Sequence, residues 1–281
     1  KKLFGKIPYE SLLLAGGMIS MFVSFSRIGW LTIIAVLMYL LLRLSSSLIN
    51  KLLERREGKT GSKQSKRQRF FAKLLLWLLL LLILLVLVLA AGLIMRQLDP
   101  RMEQLFEISV LKQYGIMGWA SRLGFAERIT YWQAAFNVYL KYPWLGSGLG
   151  VTGYHFPDTM PDFGYRLPEI LSVLLYDSFI PNAKNLWVRL LADTGVIGFS
   201  VFVAWMVEHW RNAKAVEQRK QSGLFRAMGL AGQLLIIALI VEGFSLDTFG
   251  LPYYWIGLGL IVASWRAKSE YQDGKLKRKS A

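Results

Sequence analysis

The sequence predicts an all-α fold: a polytopic transmembrane bundle of about six spans with one large extracytoplasmic helical loop. Three observations carry this. Residues 74–95 run for 22 positions without a charge, and at 1.5 Å per residue such a helix crosses the ~30 Å hydrocarbon core. Comparable apolar runs recur along the chain, which is 54% hydrophobic with a mean hydropathy of +0.38, against roughly 45–50% apolar for an ordinary soluble domain. The net charge of +16 sorts by alternate loops instead of spreading evenly.

The first apolar stretch, Ile7 to Leu42, is broken by Glu10 and Arg27. A single helix there would be about 50 Å long, too long for one crossing. Two spans are therefore expected, about 8–25 and 28–48, turning near Ser26-Arg27. A polar, basic loop over 49–73 leads to the third span at 74–95, which closes a first membrane section, 1–95. Residues 96–182 contain no span. Their aromatics, glycines and prolines predict a folded loop, not a disordered one, and the loop domain with the candidate site is drawn over 96–194. One long helix is expected from Ala183 to about Trp210. Its first half is amphipathic, with Arg189 and Asp193 at i,i+4. Its second half, Val196 to Val207, is apolar and enters the membrane. A basic stretch, 211–226, precedes the fifth span at 227–244. The turn SLDTFGLPYY leads to the sixth at 253–265, so the second membrane section covers 195–266. A basic tail, 267–281, follows.

Counting charges tests this topology. The amino terminus, 43–73, 208–226 and the tail hold 24 of the 34 Lys and Arg against 7 acidic residues; the opposite side holds 10 basic and 11 acidic residues. Positive loops stay inside, so both ends of the chain are expected on the cytoplasmic side of the membrane. The basic balance is thus a topology signal with an affinity for the anionic lipid bilayer, and nucleic acid is not expected as a partner. There is no cysteine, hence no disulfide or thiolate metal site. His155 and His209 lie far apart without ligand spacing, so neither metal nor cofactor is expected. The chain starts Lys-Lys without a short apolar leader and cleavage site; the expectation is the carboxy-terminal part of a longer protein. No internal repeat is visible.

Three features carry candidate chemistry. Arg27, between two apolar segments, costs about 2.5–3.5 kcal/mol to insert and persists facing a cavity, a partner or a ligand, or by snorkelling from the turn to the outer interface. Asn182-Ala183-Lys184-Asn185 follows Pro181. Asn182 is the expected helix cap, which puts Lys184 and Asn185 in a first turn whose free N–H groups suit a phosphate. The third is the stretch 122–150. Arg128 stands near the start of a helix ending before Pro143, with Tyr131, Trp132, Ala135, Phe136, Tyr139 and Leu140 on one stripe, a pattern that fits packing or a membrane surface. The GSGLG after it resembles a phosphate loop without the strand-before, helix-after context. Further outer charges are Arg101, Arg122, Arg166 and Arg189, with Glu127, Glu169, Asp158, Asp162 and Asp177. Arginines fit a diphosphate bidentately, and a nearby carboxylate can act as general base.

These residues resemble the carboxy-terminal part of the O-antigen ligase and polymerase superfamily of bacterial inner-membrane glycosyltransferases, over roughly 10–265. The likeness rests on Ser26-Arg27 at the outer end of a hairpin of spans; on Arg128-x-x-x-Trp132-x-x-Ala135 followed by Pro143-x-x-Gly146-x-Gly148; and on Asn185-Leu186 followed by Gly195-x-x-Gly198. Relatives commonly carry His-Asn or His-Ser where this chain has Lys184-Asn185. A lysine keeps a cation for a diphosphate but is a poor general base near neutral pH, which favours a polymerase or related transferase over a strict ligase. The resemblance implies an undecaprenyl-diphosphate-linked glycan donor and a glycan or glycolipid acceptor whose hydroxyl attacks the anomeric carbon. It implies Arg27, Arg128 and Lys184 as the catalytic cradle. Ser26, Arg122, Tyr131, Trp132, Gly146, Gly148, Arg166, Asn185 and Arg189 would bind substrate. Two other readings stay open: a transporter of the inorganic-carbon type, for which the spans hold few ionisable groups beyond Glu242 and Arg27, and a non-catalytic glycolipid-binding subunit.

Overall fold

The computed structural model describes residues 26–60, 108–176, 180–218 and 223–279 continuously, with short pieces within 2–20 and 67–93. The chain divides into two compact units, Lys1–Ile108 and Ser109–Ala281.

In the first unit, β1 (Lys2–Leu3) and β2 (Ile7–Pro8) form a short antiparallel ladder. All other regular structure among the described residues is helical, which agrees with the all-α part of the expected fold class and leaves its six-span count unsupported. Helix α1 (Arg27–Thr60) opens on Ser26. The Ser26 hydroxyl accepts the Gly29 N–H at 3.3 Å, and its carbonyl accepts the Trp30 N–H at 3.1 Å, the arrangement of an N-cap. The helix runs about twelve residues past the span end expected at 48, into the segment read as a loop. Between Trp30 and Glu57 there is neither Gly nor Pro, and the basic segment is rich in Leu, Lys, Arg and Glu, all good helix formers. Every described residue between 67 and 93 is helical, and its leucines point outward. The expected spans at 8–25 and 74–95 fall largely outside the described residues.

The second unit begins within α2 (Ile108–Arg122) and continues through α3 (Ala126–Lys141), a 3₁₀ turn at Thr152–His155, α4 (Phe156–Thr159), a second 3₁₀ turn at Gly164–Arg166 and α5 (Pro168–Leu175). Three long helices follow: α6 (Leu186–Glu217), α7 (Gly223–Glu242) and α8 (Pro252–Lys279). Among the described residues α6 and α7 are long and apolar enough to cross a membrane. The expected tail after 266 is drawn into α8.

Two apolar cores form, and α6 lines both. In the first, Tyr131, Ala134, Ala135 and Val138 of α3 meet Phe156, Met160, Ile170 and Ala192. Of the expected stripe, Phe136 and Leu140 lie outside this core and face outward. Ala134 and Ala135, lacking bulk, sit at the close contact instead. In the second core Leu186, Leu190, Met206 and Ala213 pack on Ile236 and Leu239 of α7 and on Tyr254, Leu258 and Ile261 of α8. Helices α6 and α7 approach closely at Gly229, where an added Cβ would stand 2.3 Å from the Glu217 nitrogen. The buried Gln233 donates to the Glu217 carboxylate at 2.7 Å and the Gly229 carbonyl at 3.2 Å. Small residues at a crossing and a satisfied amide are the usual means of joining apolar helices.

Helix α6 is not the uninterrupted rod that was expected. Gly195 has φ 63°, ψ −173°. The bend brings the Trp187 ring within 6.2 Å of the Phe202 ring. A break frees carbonyls on one side and N–H groups on the other, and buried backbone groups need partners. The loop after α3 supplies them. Ser147 and Gly148 donate to the Ala192 and Asp193 carbonyls at 2.8 and 2.9 Å. Val196 and Ile197 donate to the Pro143 and Trp144 carbonyls at 2.8 and 3.3 Å. Gly146 and Gly195 face each other's backbone neighbours: a Cβ on Gly146 would lie 2.3 Å from the Asp193 carbonyl carbon, and one on Gly195 2.3 Å from that of Trp144.

Gly146→Ala is expected to destabilise by about 2–5 kcal/mol, from overpacking plus a left-handed backbone. Gly124→Ala shares the positive φ but meets no atom within 4 Å, and should cost only about 1–2 kcal/mol. Thermal unfolding midpoints in detergent measure the difference; equal losses would refute the close-approach account.

Candidate active site

The candidate site is built at the head of α6. Asn185 is extended (φ −159°, ψ 116°), and its Oδ1 accepts the N–H groups of Trp187 at 2.9 Å and Val188 at 3.2 Å. It is the N-cap, so the helix starts three residues later than a cap at Asn182 implies. The cause is tertiary: the Leu186 N–H donates to the carbonyls of Gly243 and Leu246 at 2.7 and 2.8 Å, which fixes where the helix starts. The first N–H groups of α6 are therefore all engaged. No N–H group of that first turn is left free for the expected phosphate.

Lys184 is the one non-glycine residue with positive φ among the described residues, at 50°. Such a conformation persists when its surroundings over-determine it. Its N–H donates to the Asp247 carboxylate at 3.1 Å, and its carbonyl accepts Trp132 Nε1–H at 3.4 Å. Its ammonium pairs with Glu169 and lies 4.8 Å above the Tyr131 ring. Both ends of the residue and its side chain are thus held.

The turn between α7 and α8 is the common anchor. Arg128 reaches from α3 to the Ser245 carbonyl at 3.1 Å and the Ser245 hydroxyl at 3.0 Å. Arg189 reaches from α6 to the Asp247 carbonyl and, through Nε, to Asp193 at 3.2 Å. Asp193 is 3% exposed. Its carboxylate also accepts the Gly150 N–H at 3.1 Å, the Thr152 N–H at 3.4 Å and the Thr152 hydroxyl. This buried charge is paired and hydrogen-bonded, as burial requires. It also explains the glycine-rich turn. The N–H groups of Gly146, Ser147, Gly148 and Gly150 all donate within the protein, so the turn is a clasp on α6 and its likeness to a phosphate loop ends there.

The structure brings together Arg128, Tyr131, Trp132, Lys184, Asn185 and Arg189. Gly146 and Gly148 join them through Asp193. Arg166 is exposed at the end of its 3₁₀ turn, one residue before the Leu167 that leads into α5. Arg122 ends α2 with its guanidinium 6.0 Å from the Tyr114 ring. Ser26 and Arg27 belong to the first unit, at the head of α1. Sequence reasoning missed Ser245 and Asp247. A lone acidic residue in a short turn between two apolar segments was the available signal. It also did not single out Glu169 from the other outer carboxylates. No group of three or more His, Asp or Glu suited to a metal ion occurs among the described residues.

These features define a helical protein in which, among the described residues, two helices are long and apolar enough to cross a membrane and a cluster of basic residues sits at the head of one of them. The chain belongs to the O-antigen ligase family, whose model matches residues 11–203, well over half of its length. It is therefore a member of a membrane protein family of polysaccharide biosynthesis, and a glycosyltransferase-like enzyme. No curated protein and no solved structure matches the chain.

Burial first, then the carboxylates of Glu169 and Glu127, hold the Tyr131 phenol up to about 12. A tyrosine whose ionisation is delayed in the fold contributes stability below pH ~10, and that contribution is lost as pH rises toward 12. In an ultraviolet alkaline titration, Tyr131→Phe should remove one phenol ionising near pH 12, and Glu169→Gln should move that phenol to lower pH. A missing phenol that titrates near pH ~10 would refute this environment.

Proposed function

We propose that the chain transfers or polymerises a glycan from an undecaprenyl-diphosphate-linked donor onto a sugar hydroxyl, on the extracytoplasmic side of the bacterial inner membrane. The observation that carries this reading is the convergence of Arg128, Lys184 and Arg189 on one turn. A diphosphate leaving group gains negative charge in the transition state, and fixed cations stabilise it most at that moment.

The members of the cluster differ in what they offer. Arg128 engages Ser245 through Nη1 alone, which leaves the remaining N–H directions of its fork for a phosphate. Lys184 and Glu169 are partly exposed, at 34% and 47% of their side chains. Exposed pairs of this kind contribute about 0.2–1 kcal/mol, so an entering diphosphate exchanges readily for Glu169. The released carboxylate then stands beside the reacting atoms. The acceptor oxygen attacks the anomeric carbon, and the bond from that carbon to the diphosphate oxygen breaks with its electron pair. The hydroxyl proton passes to Glu169. Asp193 and Asp247, buried and already accepting hydrogen bonds, position Arg189 and Lys184. Arg27 is included on the strength of the Ser26-Arg27 family motif alone.

Alanine at Arg27, Arg128 or Lys184 should abolish polymer growth while leaving the protein inserted. Undiminished chain length in all three variants would sink the mechanism. Lys184→Gly separates side chain from backbone: it relaxes the positive φ yet should lose activity as fully as Lys184→Ala, by about 100-fold or more, the scale of removing one transition-state contact. Glu169→Gln should lower kcat and remove the acidic limb of the pH–rate profile. An unchanged profile would assign the base elsewhere.

A further inference from the structure

The loop between α3 and the first 3₁₀ turn carries a second feature that its clasp on α6 does not explain. Trp144, Leu145 and Leu149 are 69%, 74% and 74% exposed. They do not belong to a free loop able to fold them inward, because the backbone around them is tied to α6 at Ala192, Asp193, Val196 and Ile197. The residue that accepts from Ile197 is Trp144 itself. Ile197 opens the apolar half of α6, where Ile197, Val201 and Val207 are also exposed. The apolar surface of the loop therefore continues the outer wall of a helix suited to crossing a membrane.

We propose that loop 142–151 is an interfacial anchor that inserts Trp144, Leu145 and Leu149 into the headgroup–acyl boundary of the lipid leaflet nearest the basic cluster. A surface that runs on from a membrane-crossing wall meets the solvent of that wall, which is lipid. Tryptophan is enriched at this depth, and exposed apolar residues of this density rarely face water without a partner. Lys141, exposed at the end of α3, can carry its charge to the headgroups on an apolar stem. Because the same loop clasps the bend in α6, the anchor fixes the depth of Lys184 and Arg189. If the proposed function holds, that depth is where the diphosphate of a membrane-held donor lies.

The chain has no cysteine, so single cysteines introduced at Leu145 and Leu149 carry an environment-sensitive fluorophore without background. The labelled proteins are placed in vesicles of phosphatidylethanolamine and phosphatidylglycerol. A label at Ser172, an exposed polar position on α5, is the comparison. Labels at 145 and 149 should be quenched by lipids spin-labelled near the headgroup at least about twofold more than the label at 172, and shielded from aqueous iodide by a similar factor. Iodide access equal to that at 172, with no lipid quenching, would overturn the anchor. Both positions are mostly exposed, so labelling leaves the fold intact, and an unchanged unfolding midpoint verifies this. The two proposals fail separately: labels in water with glycan transfer intact refute the anchor alone, and buried labels with no glycan transfer refute the function alone.

Discussion

The second unit depends on four backbone hydrogen bonds between the loop after α3 and the bend in α6. A helix broken at one residue loses several of its own bonds, and inside an apolar environment each lost bond is costly. The loop replaces them in kind, carbonyl for carbonyl and N–H for N–H. Everything near the head of α6 inherits its position from that exchange. The bend turns Trp187 back against Phe202, and Leu186 reaches the turn after α7. Asp193, at the bend, holds both the loop and Arg189.

A cluster of cations held this way is preorganised. Like charges repel, and the structure balances them with Glu169, Asp193 and Asp247, each at a different depth. The two aspartates are buried and act as fixed partners, whereas the glutamate is half-exposed and can be exchanged. The gradient runs from buried to exposed. Lys184 occupies the boundary between the two regimes. Its main chain answers to a buried carboxylate and its side chain to an accessible one.

The helical character, the apolar runs of α6 and α7 and several of the residues that gather at the head of α6 were legible because they depend on local patterns. A run of apolar residues, an Asn before an amphipathic stretch and an i,i+4 Arg–Asp pair each reads within a few positions. The family motifs were legible for the same reason. What was not legible is what joins distant segments. Nothing near Asn182 or Asn185 reveals which one caps α6, since the deciding bonds come from Gly243 and Leu246. The bend at Gly195 was missed because a glycine in an apolar helix is often only a packing residue. The partner that makes a break tolerable lies some fifty positions earlier. Asp247 was missed because its contact, the Lys184 N–H, is a backbone group that no sequence pattern displays.

The mutual approach of Gly146 and Gly195 has a consequence for how such a protein can vary. Each glycine leaves the room that the other's neighbours occupy. A side chain at either position would push the loop off α6, and a change at the other would not restore the room, because what blocks it is main chain. No compensating pair exists for drift to find. Variation in this region is then left to the loop's outward residues and to the acidic partners of the cations, while the two glycines remain a fixed point about which those changes are made.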